Sequence, residues 1–117
     1  MEKVTSWNIE NCPVTATMGI IGGKWKILIL YLIHNEINRF GKMSMILKDI
    51  SKQMLTTQLR ELENDGLIKR VIYPEIPPRV EYFFTEKGNS LLPIIDLMKS
   101  WGYEHLVPKA PVVSTSN

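Results

Sequence analysis

Apolar residues recur at helical spacing along most of the chain, and they predict two helices in its first third. The first helix is expected to begin at Asn11–Pro13, because Asn is a good N-cap and proline is tolerated in the first turn. The glycine pair at 22–23 is expected to end it. The segment 24–33 is apolar on nearly all sides, which is typical of a helix buried at the centre of a bundle.

A third and a fourth helix are predicted over 39–47 and 52–65, and a short turn at 49–51 joins them. The residues expected to face inward on the third helix are Phe40, Met43, Ile46 and Leu47. On the fourth helix, one inward stripe is formed by Leu55, Leu59 and Leu62.

The last third of the chain changes from helical to extended patterning and back again. Two runs rich in Val, Ile, Tyr and Phe, 67–73 and 80–85, predict a β-hairpin. The connection at 74–79 contains three prolines, which cannot continue a ladder, so we expect a protruding loop. A long last helix is predicted over 86–106, with these residues inward: Leu91, Ile94, Ile95, Met98 and Trp101. Pro93 either kinks this helix or lies in its first turns, depending on where the helix starts.

This order of elements is that of a winged helix-turn-helix, in which a short turn joins the two helices of the motif. The predicted fold class is therefore mainly α with a small β-hairpin. Architecture alone does not establish DNA binding, because the same shape also serves as a protein-interaction module.

Length and composition favour one globular domain. The chain has 117 residues, of which 44% are hydrophobic and 22% charged, close to the globular average. The domain is expected at 12–106, between an N-terminal arm at 1–11 and a flexible tail at 107–117. The longest apolar run, 27–33, is far shorter than the ~20 residues of a membrane span, and the N-terminus lacks a signal-peptide pattern. We expect a cytoplasmic protein without membrane contact.

Motifs for catalysis or metal binding are missing from the sequence. It has no glycine-rich phosphate loop and no Ser–His–Asp or Cys–His order. One cysteine excludes an intrachain disulfide framework, and two histidines are too few for a metal cluster unless carboxylates complete it. The expectation is a protein that is not an enzyme and holds no cofactor or metal.

The polar face of the helix predicted at 52–65 is the strongest sign of function. At 100° per residue, Gln53 and Thr57 point away from the leucine stripe, with Thr56 and Arg60 beside them. All acidic residues of this helix lie in its second half. Arg, Gln and Thr reach base edges and phosphates in a major groove, and a recognition helix contacts bases through its N-terminal half. The pattern favours DNA binding over an ordinary solvated face.

The distribution of charge supports the same interpretation. The net charge is only +2, but segment 39–60 carries five basic residues and one acidic residue, and segment 69–79 carries three and one. These segments are the two elements that a winged helix presents to a duplex, where they would give salt-sensitive binding.

Several segments together resemble one family, and they span roughly 12–102 in an unbroken order. They include Cys12-Pro13-Val14, Ile21-Gly22-Gly23-Lys24-Trp25, Leu59-Arg60-Glu61-Leu62-Glu63, Asp65-Gly66-Leu67-Ile68 and Pro77-Pro78-Arg79-Val80-Glu81-Tyr82. This set is similar to the HxlR-type bacterial transcriptional regulators. The resemblance implies a MarR-like winged-helix homodimer that binds pseudo-palindromic operators. Lys42 departs from the family, which usually has Glu there, and makes the third helix more basic.

The resemblance also implies which residues meet double-stranded DNA. Arg79 at the wing would enter the minor groove or hold a phosphate, and a salt bridge to Glu81 is the alternative. Lys69 and Arg70 are expected on opposite faces of their strand, so that at most one meets the backbone. The DNA contacts implied in this way are Arg39, Ser51, Lys52, Gln53, Thr56, Thr57, Arg60, Lys69 and Arg79.

Cys12 has two interpretations. A lone cysteine is often a small buried hydrophobe, but a predicted helix N-terminus favours the thiolate and lowers the pKa. Members of the resembled family sense quinones, aldehydes or oxidants at this position, which implies the same role for Cys12. Without a second cysteine in the chain, it could react only with its counterpart in a partner subunit, a small thiol or an electrophile.

The last helix carries more apolar surface than one small core requires, which predicts a homodimer through the first and last helices. The residues expected at that interface are Val14, Met18, Leu91, Ile95, Met98 and Trp101. Repression is expected, because no part of the chain remains for a domain that contacts polymerase.

Two alternatives stay open at this point. One is a winged helix used for protein contacts, which predicts an apolar or acidic face on the fourth helix. The other keeps DNA binding but controls it by a small aromatic ligand at the dimer interface, near Trp7, Trp25, Trp101 and Tyr103.

Overall fold

The computed structural model describes residues 7–108, which form the predicted winged helix-turn-helix. Its helices are α1 (Pro13–Ile21), α2 (Lys26–His34), α3 (Phe40–Ile46), α4 (Lys52–Asn64), α5 (Glu86–Asn89) and α6 (Leu92–His105), and its strands are β1 (Ile68–Tyr73) and β2 (Arg79–Phe84). The two strands form one antiparallel hairpin. The expectations for 1–6 and 109–117 lie outside the described residues.

The hydrophobic core joins the helices to the base of the hairpin. The stripe predicted on α4 is confirmed, because Leu55, Leu59 and Leu62 are at most 2% exposed. The other fully buried side chains are Ile29, Leu30, Met43, Leu67 and Ile68. Burial of this stripe leaves the opposite face of α4 in solvent.

The hairpin is tied to the segment before α3. The backbone N–H of Tyr82 on β2 donates to the carbonyl oxygen of Asn38 at 3.0 Å, and the Asn38 amide donates to the Tyr82 carbonyl at 3.1 Å. At the base of the hairpin, a Cβ on buried Gly88 would overlap the carbonyl oxygen of Leu67, so only glycine allows α5 to approach this closely. These contacts fix the hairpin relative to the helix-turn-helix.

The single last helix predicted over 86–106 was wrong. The structure has two helices, α5 and α6, separated at Ser90–Leu91. Pro93 lies in the first turn of α6, where its missing N–H leaves no hydrogen bond unmade.

Two smaller predictions are also corrected. Cys12 rather than Asn11 is the N-cap of α1, because Asn11 ends a short 3-10 turn in which it exchanges hydrogen bonds with Asn8. Ile46 is 48% exposed, since Met43 and Leu47 make the core contacts of the short α3.

No single helix within residues 7–108 is long and apolar enough to cross a membrane. Helices α1 and α2 reach that length and composition only as a pair, across a bend of 71°.

Candidate nucleic-acid interface

The N-terminal half of α4 presents an open polar surface. The hydroxyl oxygen of Ser51 caps the helix by accepting the backbone N–H of Met54 at 3.0 Å. Gln53 and Thr57 are exposed, and the first turn contains no acidic residue. Farther along, Glu61 is held toward α2 by Lys26 at 2.7 Å. The positive end of the helix dipole and uncommitted amide and hydroxyl groups therefore share one surface.

Thr56 is less available than its neighbours on α4. It is half-buried, and its hydroxyl donates to the carbonyl oxygen of Lys52 at 2.9 Å. Its proton is thus used within the helix, and only its oxygen lone pairs remain for an outside contact. Lys52 and Arg60 are exposed.

At the wing, Arg79 is held by two carboxylates. Its guanidinium donates to Glu75 at 3.0–3.1 Å and to Glu81 at 2.9 Å. The same group lies 3.8 Å from the centre of the Tyr73 ring. The Glu75 and Glu81 hydrogen bonds, in that order, raise the pKa of Arg79. The alternative considered for Arg79, a salt bridge with Glu81, is therefore present in the DNA-free protein.

Arg39, at the start of α3, donates to the same Glu81 oxygen at 3.1 and 3.2 Å. Burial of Glu81 opposes its ionisation, but hydrogen bonds from Arg79 and Arg39 outweigh burial and lower the pKa of the carboxyl. We call Arg39, Glu75, Arg79 and Glu81 the wing ion cluster. Sequence reasoning missed the Arg39–Glu81 pair, which joins residues 42 positions apart, although the Arg-x-Glu spacing indicated the Arg79–Glu81 pair.

The strand register places Lys69 and Arg70 on opposite faces of the hairpin. Arg70 lies directly across from Tyr82 and shares its face with buried Ile68, toward the core. Lys69 lies across from Phe83 on the other face. Both basic side chains are exposed.

Cys12 is half-buried at the start of α1. The backbone N–H of Thr15, then its hydroxyl, then Trp7 favour the thiolate and outweigh burial, which lowers the thiol pKa from 9.0 to about 7. A pKa lowered in this way raises the share of Cys12 that is thiolate at neutral pH, and the thiolate is the nucleophilic form.

A family model described as an HxlR-like helix-turn-helix matches residues 20–110, which is most of the chain. The chain belongs to the HxlR-like helix-turn-helix family. It is 46% identical over 101 residues to the HTH-type transcriptional regulator YdeP of Bacillus subtilis, covering 86% of this chain and 79% of that protein. A regulator from Methanothermobacter thermautotrophicus is 48% identical over 91 residues, covering 78% and 70%.

Solved structures of similar regulators share the fold. The redox regulator HypR in its oxidized form has a TM-score of 0.76 at 46% identity, covering 80% of this chain and 97% of that one. The reduced form of the transcriptional regulator YodB from B. subtilis has a TM-score of 0.69 at 30% identity, covering 85% and 98%. This HxlR-like chain is thus a transcriptional regulator with a helix-turn-helix domain, and its relatives are regulators rather than enzymes.

The HxlR-like domain leaves much apolar surface on α1 and α6 in solvent. Val14 and Met18 on α1 are 69% and 56% exposed, and Met98 and Trp101 on α6 are 49% and 56% exposed. A single protomer therefore leaves four of the six predicted interface residues largely uncovered. The inward placement predicted for Met98 and Trp101, and for Ile94 at 42% exposed, is wrong.

The other two predicted interface residues lie differently. Ile95 is only 3% exposed, and Leu91 is half-buried against the core. Ile95 therefore offers almost no surface to a second subunit, because its side chain is already enclosed by its own domain. On the outer side of α6, Leu97 is exposed instead.

A groove of about 280 Å³ lies between α2 and α6. It is lined by Ile27, Leu28, Tyr31, Ile95, Met98, Lys99 and Tyr103. Of the aromatic residues considered for a ligand site, Tyr103 lines this groove, whereas Trp7, Trp25 and Trp101 do not.

Proposed function

We propose that this protein is a sequence-specific double-stranded DNA-binding repressor that acts as a homodimer. The observation that carries the proposal is the outward face of the first half of α4, where exposed Lys52, Gln53 and Thr57 present basic and polar groups and no carboxylate. Such a surface complements the acceptors and donors of a major groove and its flanking phosphates. A dimer bound at an operator would block the promoter sterically.

α4 and the hairpin would divide the contacts to the duplex between them. Gln53 and Thr57 would meet base edges, while Ser51 and Lys52 at the helix N-terminus would meet a phosphate. The hairpin would contact the adjacent backbone or minor groove. The proposed contacts are Arg39, Ser51, Lys52, Gln53, Thr56, Thr57, Arg60, Lys69 and Arg79.

The exposed apolar side chains of α1 and α6 support the homodimer. Monomeric proteins rarely expose large contiguous apolar patches, and a two-fold axis is the commonest way to cover one. A two-fold dimer places its two α4 helices against half-sites about one helical turn apart. The proposed operator is therefore pseudo-palindromic.

Fluorescence anisotropy with two duplexes tests this function. One duplex is the DNA upstream of the protein's own gene, the other is a shuffled copy, and both are measured under reducing conditions at several salt concentrations. We expect salt-dependent binding with preference for the upstream duplex. Absence of binding even at low salt would contradict the proposal and favour a winged helix that binds protein.

The wing ion cluster leads to a prediction about Glu81→Gln. The neutral amide removes the carboxylate that holds Arg39, while Arg79 keeps its pairing with Glu75. Arg39 then becomes free for a phosphate, so binding to the shuffled duplex should strengthen and the upstream preference should fall. The slope of log affinity against log salt should steepen by about 0.9, the value for one added phosphate contact. Glu75→Gln is the matched control, because Arg39 and Arg79 both keep their pairing with Glu81, and it should change the slope little. An unchanged slope in Glu81→Gln would show that Arg39 does not reach a phosphate.

We further propose that Cys12 senses electrophiles or oxidants. Its thiol pKa of about 7 and its partial exposure support this role, as does the 46% identity to a protein named as a redox regulator. With a quinone, the sulfur would add to a ring carbon and form one S–C bond, and the reduced ring would take up the proton. The added group at the start of α1 would disturb the dimer helices and weaken DNA binding.

Alkylation of Cys12 by iodoacetamide should reach half its maximal rate near pH 7. At this pH Cys12 carries about 50-fold more thiolate than a thiol of pKa 9, while each thiolate is about 6–10-fold less nucleophilic, so the net rate should be about 5–8-fold higher. Thr15→Val removes one stabilising hydroxyl and should move the midpoint upward. Thr17→Val is the control, since that hydroxyl donates to Pro13 instead. Mass spectrometry measures the rates, and a midpoint near 9 in the wild type would contradict the prediction.

A further inference from the structure

A small polar pocket lies between α4, the start of α3 and the core-facing side of the hairpin. Its volume is about 150 Å³, and it is lined by Phe40, Thr56, Arg60, Glu63, Arg70 and Tyr82. Pockets for drug-sized ligands are about 300–1,000 Å³, so this one suits a small ion with a few waters.

Two uncommitted guanidinium groups line this pocket from different elements. Arg60 comes from α4, and Arg70 comes from β1, directly across from Tyr82. Over residues 7–108, neither arginine has a carboxylate oxygen within 4.0 Å, whereas Arg39 and Arg79 are both paired with Glu81. Guanidinium groups that lack a carboxylate partner are suited to bind an outside oxyanion, because they present planar pairs of donors.

The hydroxyl of Tyr82 adds a third donor. The side chain is 9% exposed, and the charges of Arg70, Glu63 and Arg60 all act on its hydroxyl. Burial raises the pKa of Tyr82, so the hydroxyl keeps its proton and can donate it. Thr56 forms only part of the wall, because its hydroxyl donates to Lys52.

We propose that Arg60, Arg70 and the Tyr82 hydroxyl bind a single phosphate group. The phosphate belongs either to the backbone of a bound duplex or to a small free ligand. Glu63 in the same pocket repels the anion. Together with Arg60, Arg70 and the neutral Tyr82, it leaves the pocket with a net charge of +1. The duplex source rests on the proposed function. It makes Arg60 a phosphate contact, and it makes Arg70, in place of Lys69, the β1 residue that meets the backbone beside α4.

Titration of the free protein with inorganic phosphate is the first arm of the test. Arginine Nε–Hε resonances are followed by NMR, with chloride at matched ionic strength as the reference. For a free phosphate source we expect saturable shifts of two arginine signals in the wild type. In Arg70→Gln the remaining arginine signal should report a lower affinity for phosphate. In Glu63→Gln, which removes the opposing charge, the affinity should be higher. Lys69→Gln, a loss of the same charge from the opposite face of β1, should leave this titration unchanged. Thermal melts check that each variant is folded.

The second arm uses the upstream duplex with a neutral methylphosphonate placed at one backbone position at a time. For a duplex source, a methylphosphonate at one backbone position should weaken the binding of the wild type. Arg70→Gln should bind the native duplex more weakly than the wild type does, but both proteins should bind that modified duplex equally. A saturable phosphate shift supports the proposal with a free ligand as the source of the phosphate. The coupling between Arg70 and one methylphosphonate supports it with the duplex as the source. Absence of both overturns the proposal. If the protein binds no DNA, the proposed function fails while the phosphate titration alone decides the pocket.

Discussion

Replacing Leu97 and Trp101 together by glutamate should convert the protein to a monomer and weaken its binding to the operator by about 100- to 10,000-fold, the range gained when two binding modules are linked. Both side chains are exposed on the outer side of α6, at 71% and 56%. The substitution therefore leaves the protomer core intact and places two charges in the proposed interface, where they would be buried without partners.

Sedimentation and anisotropy on the same samples measure the two effects. Leu97→Met with Trp101→Phe is the matched control, because it keeps the surface apolar and should keep both the dimer and the affinity. Circular dichroism establishes that the glutamate variant keeps its helices. A glutamate variant that remains dimeric would place the interface away from α6.

Gln53→Ala should lower affinity for the upstream duplex by about 5- to 150-fold, which corresponds to the ~1–3 kcal/mol of a bidentate contact to a base. Affinity for the shuffled duplex should change little, because this uncharged side chain adds nothing to phosphate neutralisation. Gln53 is exposed in the first turn of α4, on the side opposite the buried leucines, so its loss leaves the fold unchanged.

Asn64→Ala is the matched control for this prediction. Asn64 lies on the same helix face as Gln53 but at the C-terminal end of α4, where a recognition helix is farther from the bases. We expect anisotropy to show near-normal affinity and preference for Asn64→Ala. Equal losses on both duplexes for Gln53→Ala would instead identify Gln53 as a backbone contact.

The two arginine sites of this molecule differ in a way that matters for recognition. In the wing ion cluster, Glu75 and Glu81 compensate the charges of Arg39 and Arg79, so DNA must compete with carboxylates for these side chains. In the pocket beside α4, Arg60 and Arg70 have no such close partner among the described residues. A charge count along the sequence treats all four arginines alike, because it does not show which of them are paired with carboxylates in the folded protein.

Local patterns in the sequence were sufficient for the architecture and for the α4 surface. The leucines at spacings of three and four residues specify which side of α4 is buried, and therefore which side Gln53 and Thr57 present. The hairpin followed from β-branched and aromatic runs around a proline-rich connection. The break in the last helix was missed, since the helical period continues through Ser90–Leu91, although Pro93 in the first turn of α6 is a signal of a helix start.

By itself, the sequence determined the winged helix-turn-helix, the polar face of α4 and a cysteine at the start of α1, because each depends on neighbours within a few positions. Only the tertiary structure decided that Ile95 is buried while Leu97 is exposed, since both are apolar and lie on one helix. It also decided that Arg39 meets Glu81 and that Arg60 and Arg70 share a pocket with Tyr82. These contacts join residues far apart in the chain, and such pairs form only when the core brings their elements together.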